Sequence, residues 1–167
     1  ETAPLTQNDL VIQEEEIVLP EIAPKPITSA VDLPPLVDKN LEYQEFEDAK
    51  KLITSTKYKE AFEALDKFII NYPSSELIPE AKYNLGYTQF ALRNYKAAIN
   101  TFNKIVLEYP DNPIAPNSLY QVSNSQIQLT RITKAKQTLR TLIKKYPNAD
   151  IIESAKKRLK DLESIKL

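Results

Sequence analysis

Cysteine and histidine are both absent from this chain of 167 residues. Their absence excludes disulfides, thiol chemistry, the common zinc sites and imidazole catalysis. A single glycine is present, so the sequence contains no glycine-rich phosphate loop and no nucleophile elbow. We therefore predict that the protein is not an enzyme and that it holds no cofactor and no metal.

Methionine is also absent, even from position 1, and no apolar run approaches the roughly 20 residues that a membrane-spanning helix needs. We expect a processed chain from which a secretory signal peptide has been removed, and we expect no membrane span. The lack of cysteine is compatible with a periplasmic location.

The net charge is only −1, but the charges are unevenly distributed. Residues 1–40 carry eight acids, two bases and six of the twelve prolines, which predicts a disordered, acidic, proline-rich leader. Its apolar island, Ile17-Val18-Leu19, is either a docking peptide or part of a solvated linker. From Arg131 onward there are eleven bases and four acids, which makes nucleic acid a remote alternative partner that we do not favour.

A Tyr-Pro pair occurs at positions 72–73, 109–110 and 146–147, with a constant spacing of 37 residues. Small and large apolar residues recur with the same spacing ahead of each pair: Ala61, Ala98 and Ala135, then Leu65, Phe102 and Leu139, then Phe68, Ile105 and Leu142. Their offsets within each unit place them on one face of a helix. A fixed period of this length indicates stacked helical units that bury their apolar faces against one another.

The middle unit resembles a tetratricopeptide repeat, whose usual period is about 34 residues, in its Leu85-Gly86, Phe90, Tyr95, Ala98, Phe102 and Pro110. The resemblance implies an all-α fold, a right-handed α-solenoid of three tetratricopeptide-like helix pairs plus a C-terminal capping helix. We place this domain at residues 41–167, with units at about 41–73, 79–110 and 116–147 and the cap at 151–165. Within the units, the prolines and caps predict helices at about 58–71, 79–92, 95–108, 116–129 and 133–145.

The recurring Tyr-x-x-Ala, large apolar residue, Tyr-Pro and Ser/Asn-rich turn are similar to the C-terminal domain of the YbgF/CpoB family over about residues 41–163. These are periplasmic proteins of the Tol-Pal system. The resemblance implies an adaptor that binds TolA and helps coordinate outer-membrane constriction with the peptidoglycan synthesis machinery during cell division. The sequence lacks the tryptophan of the repeat, and residues 1–40 lack the heptads of the family's trimeric coiled coil, so the resemblance does not extend to trimerisation.

Two alternatives remain within the same fold. One is an outer-membrane assembly scaffold of the BamD type, and the other is a generic peptide-binding tetratricopeptide repeat module. BamD-type proteins are lipoproteins with an N-terminal cysteine and about five repeats, and this sequence shows neither feature. We therefore rank the BamD type below the Tol-Pal adaptor.

The first helix of each unit in such arrays lines the concave surface, so candidate binding residues are expected there. The candidates for partner binding come from the first helices of all three units, and those in the same unit are one turn apart. They are Lys50, Tyr83, Tyr87, Tyr120 and Asn124. Tyrosine rings, an amide and an ammonium group suit an extended or helical peptide. The alternative is that Phe46, Tyr83 and Tyr120 pack between the helices as core residues.

Overall fold

A computed structural model describes residues 38–164, which form seven helices and no strand. The helices are α1 (Lys39–Thr54), α2 (Tyr58–Asn71), α3 (Ile78–Ala91), α4 (Tyr95–Glu108), α5 (Ile114–Gln128), α6 (Ile132–Lys145) and α7 (Ile152–Ser164). The predicted all-α solenoid of three helix pairs and a last helix is confirmed. The leader predicted over residues 1–40 lies outside the described residues except for its last three positions, and so do residues 165–167.

The helix ends agree with the expected ones to within two residues, because identifiable side chains fix them. The amide of Asn40 donates to the Asp38 carboxylate at 2.9 Å and so caps α1, which begins at Lys39. Pro79 and Pro116 lie in the first turns of α3 and α5, where a backbone N–H would have no partner inside the helix.

Each unit turns between its two helices at a residue in the left-handed region. These residues are Thr56, Arg93 and Thr130, with φ of 58°, 61° and 57°, and they are 37 residues apart. The amide that follows each of them reaches back to close the preceding helix, as Asn94 does to the carbonyl of Gln89 at 2.8 Å. The conformation costs a residue with a side chain roughly 1–2 kcal/mol, yet the only glycine of the chain lies elsewhere.

Consecutive helices pack against one another, and the first helices of neighbouring units also contact each other, α1 with α3 and α3 with α5. Among residues 38–164, no comparable contact joins the second helices, α2 to α4 or α4 to α6. The first helices are therefore closer together, which places α1, α3 and α5 on the inner side of the stack. We call the surface that they share with α7 the inner face.

The core of each unit is built from the repeating apolar positions that the sequence marks. In the first unit the rings of Phe46 and Phe68 lie 5.4 Å apart, centroid to centroid, and both are buried. In the second, Phe102 is fully buried and fills the space that the lone glycine, Gly86, leaves between α3 and α4. Small residues on the first helices therefore allow close approach of the second helices.

Candidate functional site

The inner face carries four equivalent positions on each of its helices, because the period of 37 residues brings them into register. We list them by helix: Tyr43, Phe46, Glu47 and Lys50 on α1; Glu80, Tyr83, Asn84 and Tyr87 on α3; Asn117, Tyr120, Gln121 and Asn124 on α5; Ser154, Lys157, Arg158 and Asp161 on α7. All five candidate residues belong to this surface. Two open clefts lie along it, one beside α3 and one between α5 and α7.

Lys50 contacts two carboxylates, one on its own helix and one on α3. Its ammonium nitrogen lies 3.0 Å from the carboxylate of Glu47 and 3.4 Å from that of Glu80, and 5.2 Å from the centroid of the Phe46 ring. The hydrogen bond to Glu47 is the largest cause that raises the pKa of Lys50; burial opposes it, and the negative charges of Glu80 and Glu47 add to the increase. The charge of Lys50 is thus neutralised inside the protein, and this end of the inner face carries one more acid than base.

Tyr83 and Tyr120 contribute to the core and to the surface at once. The ring of Tyr83 meets the ring of Phe102 edge-on, with centroids 5.5 Å apart, while its hydroxyl accepts a hydrogen bond from the amide of Gln121 at 3.4 Å. Tyr120 is half-buried and packs against the apolar cluster formed with α6 and α7. The packing that the alternative interpretation expected therefore exists for both rings, and their edges still line the two clefts. Phe46 is buried and belongs to the core alone.

Tyr87 and Asn124 occupy equivalent positions on α3 and α5, where Tyr87 is exposed and Asn124 is half-buried. Tyr87 is 38% exposed although its side chain is large and mostly apolar. The amide nitrogen of Asn124 donates to the side-chain oxygen of Gln121 at 3.2 Å, so the amides on α5 form a short hydrogen-bonded row. Exposed ring surface beside adaptable amides is typical of peptide-binding surfaces.

Sequence reasoning missed Asn84, which lies beside Tyr83 on the inner face. Its amide nitrogen is buried and makes no hydrogen bond within the part of the chain that the structure describes. The cleft beside it is lined by Glu80, Asn112 and Asn117, among others. The available signal was the register itself, because Asn84 is equivalent to Gln121 and Arg158. A run of polar side chains at one repeat position points outward from the core.

In the sequence, Lys157 and Arg158 stand out only as part of the basic stretch that begins at Arg131. The structure places both at the cleft between α5 and α7, together with Tyr120, Ser154 and Asp161. This end of the inner face carries one more base than acid.

Neither a metal site nor a membrane span is found in the described part of the chain. No group of three or more potential ligands among residues 38–164 is arranged to hold a metal ion. None of the seven helices in that range is both long and apolar enough to cross a bilayer.

The fold is shared with proteins of known structure that include a tetratricopeptide repeat domain. The second tetratricopeptide repeat domain of human RPAP3, solved with an HSP70 peptide, has a TM-score of 0.60 and 14% identity, covering 75% of this chain and 98% of that one. PcrH from Pseudomonas aeruginosa has a TM-score of 0.63 and 13% identity, covering 77% and 96%. The chaperone SycD of Yersinia enterocolitica, solved with a peptide of the translocator YopD, has a TM-score of 0.62 and 16% identity, covering 77% and 92%.

At these identities the structures establish the fold alone, and among curated proteins none matches the chain. The tetratricopeptide-like repeat class that the sequence predicted is confirmed. The family model that matches is not that of YbgF/CpoB but that of YfiO, described as an outer membrane lipoprotein, and it spans residues 38–165. This match indicates a location in the cell envelope. The chain belongs to the YfiO family of outer membrane lipoproteins.

Proposed function

We propose that this protein is a periplasmic adaptor without catalytic activity, which holds a segment of a protein partner against its inner face. The observation that carries the proposal is the line of polar and aromatic side chains along α3 and α5. Tyr87 is exposed, and the amide of Asn84 has an unused hydrogen-bonding capacity. Polar and aromatic side chains that are uncharged and that are not needed to fill the core are typical of a binding surface.

An extended peptide suits the chemistry of this surface. Its backbone presents a donor and an acceptor at every residue, and asparagine and glutamine side chains offer both groups in return. Asn117, Gln121 and Asn124 follow one another along α5, while Tyr87 supplies a ring for an apolar side chain. RPAP3 and SycD, which share the fold, were solved with bound peptides, and this supports the same mode of binding here.

Two partner systems are compatible with such an adaptor. The resemblance to the YbgF/CpoB family favours TolA and a role in coordinating outer-membrane constriction with peptidoglycan synthesis during division. The match to an outer membrane lipoprotein family favours the second candidate, a scaffold of the BamD type for outer-membrane assembly, because those proteins are themselves lipoproteins. Crosslinking in intact envelopes separates the two: recovery of assembly-machinery barrels without any Tol component would favour the scaffold.

The binding surface is tested by titrating a TolA fragment into the full chain by calorimetry. We expect Tyr87→Ala and Asn124→Ala each to weaken binding about fivefold or more, the loss of roughly 1 kcal/mol that marks an interface contact. Leu107→Ala and Asn100→Ala are the matched controls, because both residues are exposed on α4, away from the inner face.

All four variants should unfold within about 0.5 kcal/mol of the parent, as is usual for surface substitutions. Parental affinity in Tyr87→Ala and Asn124→Ala, with binding intact, would move the site off the inner face. A fragment that does not bind at all would direct the same titration to periplasmic segments of the assembly machinery.

A further inference from the structure

The cleft between α5 and α7 contains two positive charges and one negative charge, so it keeps an excess of one positive charge. Lys157 and Arg158 both line it, and neither forms an ion pair within residues 38–164. Two acids on the same helix are already engaged: Glu153 pairs with Lys156 at 2.8 Å, and Glu163 pairs with Arg140 at 2.6 Å. The remaining acid of α7 in this cleft is Asp161, which forms no ion pair within residues 38–164 and offsets only one of the two bases.

The opposite end of the inner face shows that this arrangement is specific to α7. There Lys50 is held by two carboxylates, one from its own helix and one from α3. The middle of the face, on α3 and α5, carries amides and tyrosines but no unpaired base among the equivalent positions. An occupant that runs along the inner face thus meets carboxylates first, amides next and cations last.

The shape and lining of the α5–α7 cleft favour a peptide over other polyanions. The two exposed cations lie beside the half-buried ring of Tyr120 and the exposed hydroxyl of Ser154, in an open cleft lined by two helices. Asp161 lines the same recess and would repel closely spaced phosphates of a nucleic acid or a lipid surface. A single carboxylate side chain can approach the ammonium and guanidinium groups while avoiding Asp161.

We propose that the α5–α7 cleft binds an acidic segment of the partner, with glutamate or aspartate side chains held by Lys157 and Arg158. This inference rests on the proposed function, since it assumes that a peptide occupies the inner face. It adds the orientation of that peptide: the acidic part lies on α7, and the part that contacts Tyr87 follows toward α3.

A fluorescence anisotropy titration of the full chain tests the proposal with two labelled peptides. One alternates glutamate with leucine, and the other has glutamine in place of every glutamate. We expect the glutamate peptide to bind more tightly, and Lys157→Gln combined with Arg158→Gln to weaken its binding about tenfold or more, as expected for lost charge-assisted hydrogen bonds. Binding of the glutamine peptide should change by less than about twofold in the same variant.

Lys144→Gln combined with Lys145→Gln is the matched control, because it removes two adjacent exposed bases from α6. An equal loss of affinity in this control would show diffuse attraction and overturn the proposal, as would equal binding of the two peptides. Tighter binding of single-stranded DNA or of phosphatidylglycerol vesicles through Lys157 and Arg158 would also overturn it.

The same titration, repeated with Tyr87→Ala, distinguishes the peptide site on the inner face from the acidic subsite at Lys157 and Arg158. Weaker peptide binding in Tyr87→Ala, without any effect of the Lys157 and Arg158 changes, would leave the inner-face site standing and refute the acidic end. An effect of Lys157 and Arg158 alone would keep the acidic subsite and refute the longer peptide path. No effect of either change would refute both.

Discussion

The close approach of α3 to α4 at Gly86 yields a prediction whose sign depends on one ring. A Cβ atom built on Gly86 would lie 2.8 Å from Cε1 and 2.9 Å from Cζ of Phe102. These separations are shorter than real Cβ contacts, so either the ring or the helix must move. The ring has little freedom, because Phe102 is fully buried and the edge of Tyr83 packs on it.

Two opposing contributions decide the effect of Gly86→Ala on the free energy of unfolding. Alanine in a helix interior is favoured over glycine by about 1 kcal/mol. Forcing an extra carbon into a filled core costs about 1–3 kcal/mol. We expect the overpacking to exceed the helix preference and the variant to lose about 1 kcal/mol of stability, measured by urea denaturation followed by far-UV circular dichroism.

The other units indicate how to relieve the contact. At the positions equivalent to Gly86 and Phe102, the first unit has Ala49 and Leu65, which belong to the same buried cluster. We therefore expect Gly86→Ala to become neutral or stabilising, by up to about 1 kcal/mol, when Phe102→Leu is already present. Phe102→Leu alone should cost about 1–2 kcal/mol because it leaves a cavity.

A double-mutant cycle of the four proteins measures this coupling directly. We expect an interaction free energy of about 1 kcal/mol or more, because the two residues touch. Strict additivity would refute the reasoning, and so would a Gly86→Ala variant that is more stable than the parent. Either result would mean that the ring yields to the added carbon and that close packing is not the reason for glycine at this position.

Two further predictions concern the same pair of helices. Ala98→Leu should destabilise the protein by about 1–3 kcal/mol through overpacking, since Ala98 is completely buried, and a urea midpoint equal to that of the parent would contradict this. Burial lowers the pKa of Lys82, but the hydrogen bond to Glu108 and the nearby Tyr109 outweigh it and raise that pKa above its ordinary value of 10.5. Because the folded-state pKa is raised, the protonated Lys82 contributes its full stabilisation below pH 10.5 and loses it as the pH rises through the folded-state pKa. The difference in stability between the parent and Lys82→Gln should therefore disappear above that pH, and a constant difference would contradict the prediction.

The helices could be predicted from the sequence because local rules fix them. Prolines end the second helices, and the apolar spacing of 37 residues repeats often enough to overcome the noise of any single unit. The backbone conformation of the turns was harder to predict. The left-handed region is usually marked by glycine, but here it is occupied by Thr56, Arg93 and Thr130. Here the repeat position, rather than the residue type, identifies them.

The binding surface could be predicted only as a set of positions. Register places Tyr87 and Asn124 on the inner face, but it does not reveal that Lys50 pairs with Glu80, thirty residues away on another helix. Equally, the cleft at Lys157 depends on the packing of α7 on α6, which brings α7 beside α5 and which no local pattern encodes. Pairing between helices decides which charges remain available to a partner, and this is the part that required the structure.

Helix α1 also differs from α3 and α5, the first helices of the later units. The difference lies on the side with which α3 and α5 pack on the preceding unit. Leu85 and Thr88 of α3 are buried there, whereas Asp48 and Lys51 occupy the same positions on α1. These two side chains pair with each other at 2.8 Å and are 55% and 74% exposed. Packing of another element on this side of α1 would remove the ion pair from water, which costs free energy.

The last helix shows the same property on its other side. Tyr83 of α3 and Tyr120 of α5 face the second helices of their units. The equivalent residue of α7 is the exposed Lys157, and Lys160, one turn further along the same side of α7, is also exposed. A second helix could not pack there without desolvating two cations. Exposed charge therefore lies at both ends of the stack that residues 38–164 form. Lys157 also lies in the α5–α7 cleft, where we propose that it meets the acidic segment of a partner.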